Sequence, residues 1–66
     1  MSTVDNVARN IEKRRKDISI DKLSKMADIP ASTIMKIRRK EVKDIKISTL
    51  TALAKAFKCT VDDLIK

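Results

Sequence analysis

The stretch that decides the fold is ISIDKLSKMADIPASTIMKIRRK, residues 18–40. Ser19 is expected to cap a helix, because its hydroxyl can accept a hydrogen bond from a free backbone N–H of the first turn. The apolar residues of this helix recur at helical spacing and are Ile20, Leu23, Met26 and Ala27. Asp28 tolerates the left-handed conformation that ends a helix, and Pro30 suits the first turn of the next one. This spacing predicts a helix-turn-helix from about Ser19 to Lys40.

The helix after the turn, predicted at about Ala31–Arg39, has two different faces. At the angular spacing of an α-helix, Pro30, Ile34 and Ile37 fall on one side and are expected to face the core. The opposite side carries Ser32, Met35, Lys36 and Arg39. Residues 29–40 include four basic residues and no acidic one. This helix is therefore predicted to present a short polar tip, followed by cations, to the solvent.

A first helix is predicted upstream from the apolar row Val4, Val7 and Ile11, with Ser2 or Thr3 as its cap. The basic run Lys13–Lys16 lies near its C-terminal end, where the helix dipole favours cations. The dipole accounts for one or two of these four charges more easily than for all of them.

Two more helices are predicted downstream of a charged loop at Glu41–Lys46. Ser48 is expected to cap the fourth helix, whose buried stripe is Leu50, Leu53, Ala54 and Phe57. Thr60 and Asp63 have the spacing of a capping box and predict a fifth helix at Val61–Lys66. This capping role is the expected one for the neighbouring carboxylates of Asp62 and Asp63.

The composition favours an all-α fold. The 66 residues include no glycine, one proline and one aromatic residue, Phe57. Tight β-hairpins need positive φ, which glycine usually supplies, whereas helix interiors need none. We therefore expect residues 1–66 to form one compact, five-helix domain with a core of aliphatic side chains.

The net charge of +7 favours a polyanionic partner, nucleic acid before an anionic membrane. The alternative is a lysine-rich solvated surface. The charge is uneven, since residues 9–46 contain thirteen basic and six acidic residues. Residues 47–66 contain three basic and two acidic ones. The basic field therefore belongs to the first two-thirds of the chain.

Several functions lack the residues they need. The chain has no histidine, no glycine-rich phosphate loop and no tyrosine, so we expect neither an enzyme nor a metal or other cofactor. Single-strand binding would need stacking aromatic residues, and membrane-surface binding would need an apolar helix face not used by the core. Cys59 is the only cysteine, which fits a reducing compartment, and its thiol is expected to point inward. With neither a membrane-spanning run nor a signal peptide visible, a cytoplasmic, nucleoid-associated protein is expected.

The order of these features resembles the phage-repressor-like helix-turn-helix family of the Cro/XRE type. The resemblance covers residues 18–40 and the run KISTLTALAKAFKCTVDDLIK, residues 46–66. The matching positions are Ile18, Ser19, Leu23, Ala27, Asp28, Ile29, Ser32-Thr33-Ile34, Thr49-Leu50, Leu53–Phe57, Cys59-Thr60, Asp62 and Leu64. The resemblance implies a lambda-repressor-like fold in which helix 3 enters the major groove of DNA.

The resemblance also implies roles for individual residues. Base contacts are expected from Ala31, Ser32 and Lys36, with Thr33 at the edge between base and phosphate. Backbone contacts are expected around Ser19 and in the loop after helix 3. Met35 either meets a thymine methyl group or is merely tolerated at the surface. The expected phosphate contacts are Arg39, Lys40, Lys43 and Lys46, together with the run Lys13–Lys16 taken as a group.

The chain departs from the family pattern at three positions. Asp28 replaces the usual glycine of the turn, which predicts slight strain. Ile20 replaces a glutamine that often touches DNA, so that contact is expected to be absent. Arg38 replaces a frequent glutamate, so the internal ion pair between helix 3 and helix 1 is expected to be missing.

The predicted function is a transcriptional regulator, a repressor, that binds a pseudo-palindromic operator as a homodimer. The candidate dimer surface contains Ala52, Ala56, Val61 and Ile65. The alternative is an antitoxin-like or partner-binding module on the same fold, with its charge directed at an acidic protein. The alternative to a base contact for Lys36 is an ordinary solvated lysine. For Ser32 it is a residue that merely occupies the first turn of the helix.

Overall fold

The computed structural model describes residues 3–66, which form five α-helices and no β-strand. The helices are α1 (Thr3–Arg15), α2 (Ile20–Ala27), α3 (Ala31–Arg38), α4 (Ile47–Phe57) and α5 (Val61–Ile65). The first helix packs against α3 and α5, the second against α3 and α4, and the fourth against α5. The all-α prediction is confirmed, and α2 and α3 lie where the helix-turn-helix was expected.

The core is aliphatic, as the composition predicts. Its largest fully buried side chains are Val7, Ile11, Leu23, Ile34, Ile37, Leu53 and Leu64. Every helix contributes at least one of them, so no helix can be removed without opening the core. Phe57 and Cys59 are only half-buried and pack against the edge of this cluster. Cys59 thus points toward the core without being enclosed by it.

Helix ends without glycine are a repeated feature of the described chain. Lys16, Asp28, Lys40 and Lys58 follow the first four helices with positive φ. After α3, Lys40 N–H donates to the Ile37 carbonyl and Glu41 N–H to the Lys36 carbonyl, at 3.0 and 2.9 Å. These are the two hydrogen bonds of a Schellman motif, which satisfies the last carbonyls of the helix.

Local signals predicted most of the caps correctly. The Ser19 hydroxyl accepts from Lys22 N–H at 3.1 Å, and Asp28 adopts the left-handed conformation at φ 55° and ψ 45°. The capping box of α5 is complete, since Thr60 and Asp63 each accept the other's backbone N–H. Thr3 lies inside α1 rather than before it, and Ser2, the other candidate cap, lies outside the described residues.

Two predictions about helix starts are wrong. Ser48 does not cap α4, because the helix begins at Ile47 and Lys46 is its N-cap, with no capping side chain. Leu50 N–H donates to the Lys46 carbonyl at 3.0 Å, which places Ser48 inside the first turn. Pro30 is exposed rather than buried. Its ψ of 137° is not helical, so the helical-wheel position that predicted its burial does not apply.

Candidate nucleic-acid interface

The turn between α2 and α3 is held by backbone and hydroxyl contacts. Asp28 N–H and Ile29 N–H both donate to the Ser24 carbonyl, and the Ser24 hydroxyl donates to the Ile29 carbonyl. Ile29 is buried, which anchors the turn to the core. The Pro30 carbonyl then accepts from Thr33 and Ile34, at 3.0 and 3.3 Å. The two helices are therefore fixed relative to each other by local contacts.

The exposed face of α3 is polar and carries no acidic residue. Ile34 is fully buried and Ile37 is 2% exposed, which fixes the rotation of the helix about its axis. Ser32, Lys36 and Arg39 are consequently exposed on the opposite side, as predicted. Their positions on a helical surface bring one hydroxyl and two cations onto one face, and such groups can bond the edges of bases and phosphate oxygens.

The other expected readers at the start of α3 have different surroundings. Ala31 and Thr33 are half-buried. Thr33 lines a groove of about 260 Å³ together with Ile37, Val42, Asp44, Ile45, Lys46 and Thr49. It therefore lies on the flank of α3 that faces α4, whereas Ser32 and Lys36 face outward. The structure brings Ser32, Lys36 and Arg39 together and leaves Thr33 apart from them.

The opposite flank of α3 contains an ion-pair cluster that sequence reasoning missed. Glu12 of α1 binds Arg38 of α3 through both carboxylate oxygens, at 2.8 and 3.0 Å. Arg15 binds the same two oxygens at 2.9 and 3.0 Å and also donates to the Ile18 carbonyl at 2.9 Å. We call these three side chains, Glu12, Arg15 and Arg38, the Glu12 cluster.

The expected loss of the ion pair between α1 and α3 is therefore wrong. The pair is present with its charges exchanged, because the carboxylate lies on α1 and the guanidinium on α3. The hydrogen bond from Arg15 is the largest cause that lowers the pKa of Glu12. Partial burial opposes this effect, and the hydrogen bond from Arg38 reinforces it. The i,i+3 spacing of Glu12 and Arg15 was visible in the sequence, but the contact with Arg38 was not.

The four side chains of the basic run at the end of α1 have different surroundings. Arg15 is engaged in the Glu12 cluster. Arg14 is half-buried beside Phe57, and its Nε atom is buried without a hydrogen-bond partner. Lys13 and Lys16 are exposed near the same edge. These two lysines are the members of the run that remain accessible to a phosphate.

The loop after α3 carries the remaining candidate cations. Lys43 and Lys46 are exposed, whereas Val42 and Ile45 pack against the core and hold the loop in place. Lys40 forms an ion pair with Asp5 of α1 at 3.4 Å. Its side chain is 58% exposed, so this pair is weak and leaves the ammonium accessible to another anion.

A family model described as a Cro/C1-type HTH DNA-binding domain matches residues 13–66. The chain belongs to this family. No curated protein and no solved structure matches the chain significantly. The Cro/C1-type assignment confirms the resemblance inferred from the sequence and makes the protein a DNA-binding regulator in general terms.

Two kinds of feature are absent from residues 3–66 of this Cro/C1-type domain. The described side chains include no group of three or more histidine, cysteine or carboxylate residues placed to hold a metal ion. None of the described helices is long and apolar enough to cross a membrane.

Proposed function

We propose that the chain is a sequence-specific regulator of transcription, a repressor, that inserts α3 into the major groove of double-stranded DNA. The observation that carries this proposal is the acid-free face formed by α3 and its C-cap, on which Ser32, Lys36 and Arg39 are exposed together. Buried Ile34 and Ile37 hold that face outward in a domain of a DNA-binding family. The protein acts by binding rather than by catalysis, in the cytoplasm and at the nucleoid.

Base contacts are assigned to the outward side of α3. Lys36 reaches a guanine edge, a contact worth roughly 1–3 kcal/mol of discrimination. The same side of the DNA major groove is contacted by Ser32, Ala31 and Met35. Thr33 bonds the edge of the groove or a neighbouring phosphate, which agrees with its position on the flank toward α4.

Phosphate contacts are assigned to both ends of the helix-turn-helix. The Ser19 hydroxyl accepts the capping hydrogen bond, but it retains its own proton, which it can donate to a phosphate oxygen. Arg39, Lys40, Lys43 and Lys46 provide cations at the other end. We expect each monomer to neutralise about four phosphates. A plot of the logarithm of the binding constant against the logarithm of the salt concentration should then have a slope of about −0.9 per phosphate contact.

A homodimer on a pseudo-palindromic operator is part of the proposal. One small module contacts only one half-site, and two half-sites about one helical turn apart provide the remaining affinity. Ala52, Ala56, Val61 and Ile65 are half-buried apolar residues and are the proposed dimer surface. Sedimentation of the protein with and without a selected duplex measures the stoichiometry.

Selection from a random duplex library tests the proposal. We expect an enriched site whose binding weakens steeply with salt. Lys36→Ala should change the preferred sequence, whereas Lys55→Ala, which removes an exposed lysine from α4, should leave the preference unchanged. Equal effects of the two substitutions would contradict the assignment of α3. Weak binding with no enriched sequence would contradict the proposed role as a sequence-specific regulator. It would favour the alternative that the chain is a module that binds an acidic protein.

A further inference from the structure

Arg38 contacts both an α1 residue and a residue of the proposed DNA-binding face. Its Nε and one terminal nitrogen bind Glu12, and its other terminal nitrogen donates to Met35 Sδ at 3.3 Å. Met35 lies one turn before Arg38 on α3 and is half-buried. The guanidinium therefore connects the carboxylate of α1 to a thioether at the border of the exposed face.

Glu12 is itself held from the other side. Arg15 binds both of its oxygens and also the Ile18 carbonyl, just before α2. The carboxylate cannot rotate without breaking bonds to two guanidinium groups, each of which binds both oxygens. The direction from which Arg38 approaches Met35 is thus set by residues outside α3.

A contact of this kind restrains a methionine more than it would restrain a stiffer side chain. Its side chain has three rotatable bonds and adapts to many surfaces, so an unrestrained methionine discriminates poorly between partners. A hydrogen bond to the sulfur, although weak, reduces the number of conformations that the side chain must lose on binding. The feature on DNA that an apolar side chain can read in the major groove is the 5-methyl group of thymine.

We propose that Met35 is a specificity-determining residue that contacts a thymine methyl group, and that Glu12 is a positioning residue that acts on it through Arg38. This inference rests on the proposed function, because it requires α3 to lie in the major groove. It assigns to α1, which lies outside the helix-turn-helix, an influence on which base is preferred.

The first experiment uses the duplex selected by the full chain, with deoxyuridine replacing thymine at one position after another. At one position, loss of the methyl group should weaken binding about fourfold, as expected for one buried methyl-sized group. Met35→Ala should bind the two duplexes equally, and Lys55→Ala should retain the fourfold difference. If no duplex is selected at all, the proposed function fails. If a duplex is selected and no position responds to uracil, the assignment of Met35 fails.

The second experiment separates positioning from stability. Glu12→Ala should reduce the thymine-to-uracil ratio toward one, with folding checked by circular dichroism at the binding temperature. The double variant Glu12→Arg/Arg38→Glu retains the net charge and an ion pair between α1 and α3. A glutamate at position 38 cannot donate to the methionine sulfur, so the ratio should remain near one although the thermal stability recovers. Recovery of the fourfold ratio in the double variant, or its persistence in Glu12→Ala, would overturn the positioning role.

Discussion

Three lysines adopt the left-handed backbone conformation, which is unfavourable for residues that have a Cβ atom. Lys16, Lys40 and Lys58 have φ values of 50°, 60° and 56°, and Asp28 has 55°. The left-handed region costs an ordinary residue roughly 1–2 kcal/mol, and aspartate tolerates it better than lysine does. The strain expected at Asp28 is therefore smaller than the strain at the lysines, which the sequence did not reveal.

Replacement of Lys58 by glycine should stabilise the protein. Lys58 is exposed and ends α4 in a Schellman motif, in which Lys58 N–H donates to the Lys55 carbonyl and Cys59 N–H donates to the Ala54 carbonyl. Lys58→Gly retains these backbone bonds and removes the Cβ strain, which should raise the free energy of unfolding by about 1 kcal/mol. Urea denaturation followed by circular dichroism measures the change. Lys55→Gly, inside α4, should lower it by about 1 kcal/mol, and a gain in that variant would contradict the explanation.

At the scale of an element, α5 depends on α1 for its C-terminal end. A helix of five residues is not stable alone, because too few hydrogen bonds offset the cost of nucleation. Asn6 donates to the Ile65 carbonyl at 3.0 Å, and Asn10 donates to the Leu64 carbonyl at 2.8 Å. Arg9 donates to the Lys66 carbonyl at 2.9 Å. One polar row of α1 therefore satisfies three carbonyls at the end of α5.

Removal of the Asn10 amide should loosen α5. Asn10→Ala leaves the Leu64 carbonyl without its donor, and we expect a loss of about 1–2 kcal/mol in the free energy of unfolding. Hydrogen exchange of the α5 amides should accelerate more than that of the α2 amides. Lys13→Ala, at an exposed position of the same helix, is the control and should change stability by less than about 0.5 kcal/mol. Similar losses in the two variants would show that the Asn10 contact contributes nothing specific.

For the whole molecule, stability should depend on pH only in the acid range. The chain has no histidine, the residue type whose ordinary pKa falls between pH 5 and 8. Hydrogen bonds from Arg15 lower the pKa of Glu12, and the Thr60 backbone and hydroxyl lower the pKa of Asp63. Groups with a pKa lowered by folding stabilise the protein above their unfolded pKa and lose that effect as the pH falls through the folded value.

Thermal unfolding at several pH values tests this dependence. The Tm of the wild type should be level from about pH 7 to pH 5 and should decline below the ordinary range of a carboxylate, about 4. Glu12→Gln should lower the Tm at pH 7, by an amount equivalent to about 0.5–1 kcal/mol after solvent screening. Its decline in acid should be shallower, so that the two curves converge as the pH falls through the lowered pKa of Glu12. Parallel curves would contradict the contribution of Glu12.

The sequence predicted features that arise within one or two turns of chain. Ser19, Asp28 and the Thr60 capping box were legible because each cap acts on backbone groups at most four residues away. The start of α4 was missed because Lys46 caps it with an extended backbone alone, which leaves no side-chain signal. The hydrogen bonds between Glu12 and Arg38 and between Asn10 and Leu64 join residues that are 26 and 54 positions apart. They therefore depend on how the helices pack.

The candidate site was predictable to a similar extent. The outward direction of Ser32, Lys36 and Arg39 follows from the buried positions of Ile34 and Ile37, and the periodicity of α3 was sufficient to predict it. The separation of Thr33 from them follows from the same periodicity, whereas the groove that Thr33 lines depends on the loop after α3, whose path no sequence pattern specified. The base and phosphate contacts themselves stay predictions, because they involve a second molecule.

The exchanged charges of the Glu12 cluster restrict how this domain can be re-engineered by grafting. A simple way to change the preferred operator would be to replace α3 by the corresponding helix of a relative. A donor helix with glutamate at position 38 would bring two carboxylates together at Glu12 and leave Arg15 to neutralise both. In this scaffold, α3 and residue 12 of α1 must therefore be exchanged as one unit, although they are far apart in the chain.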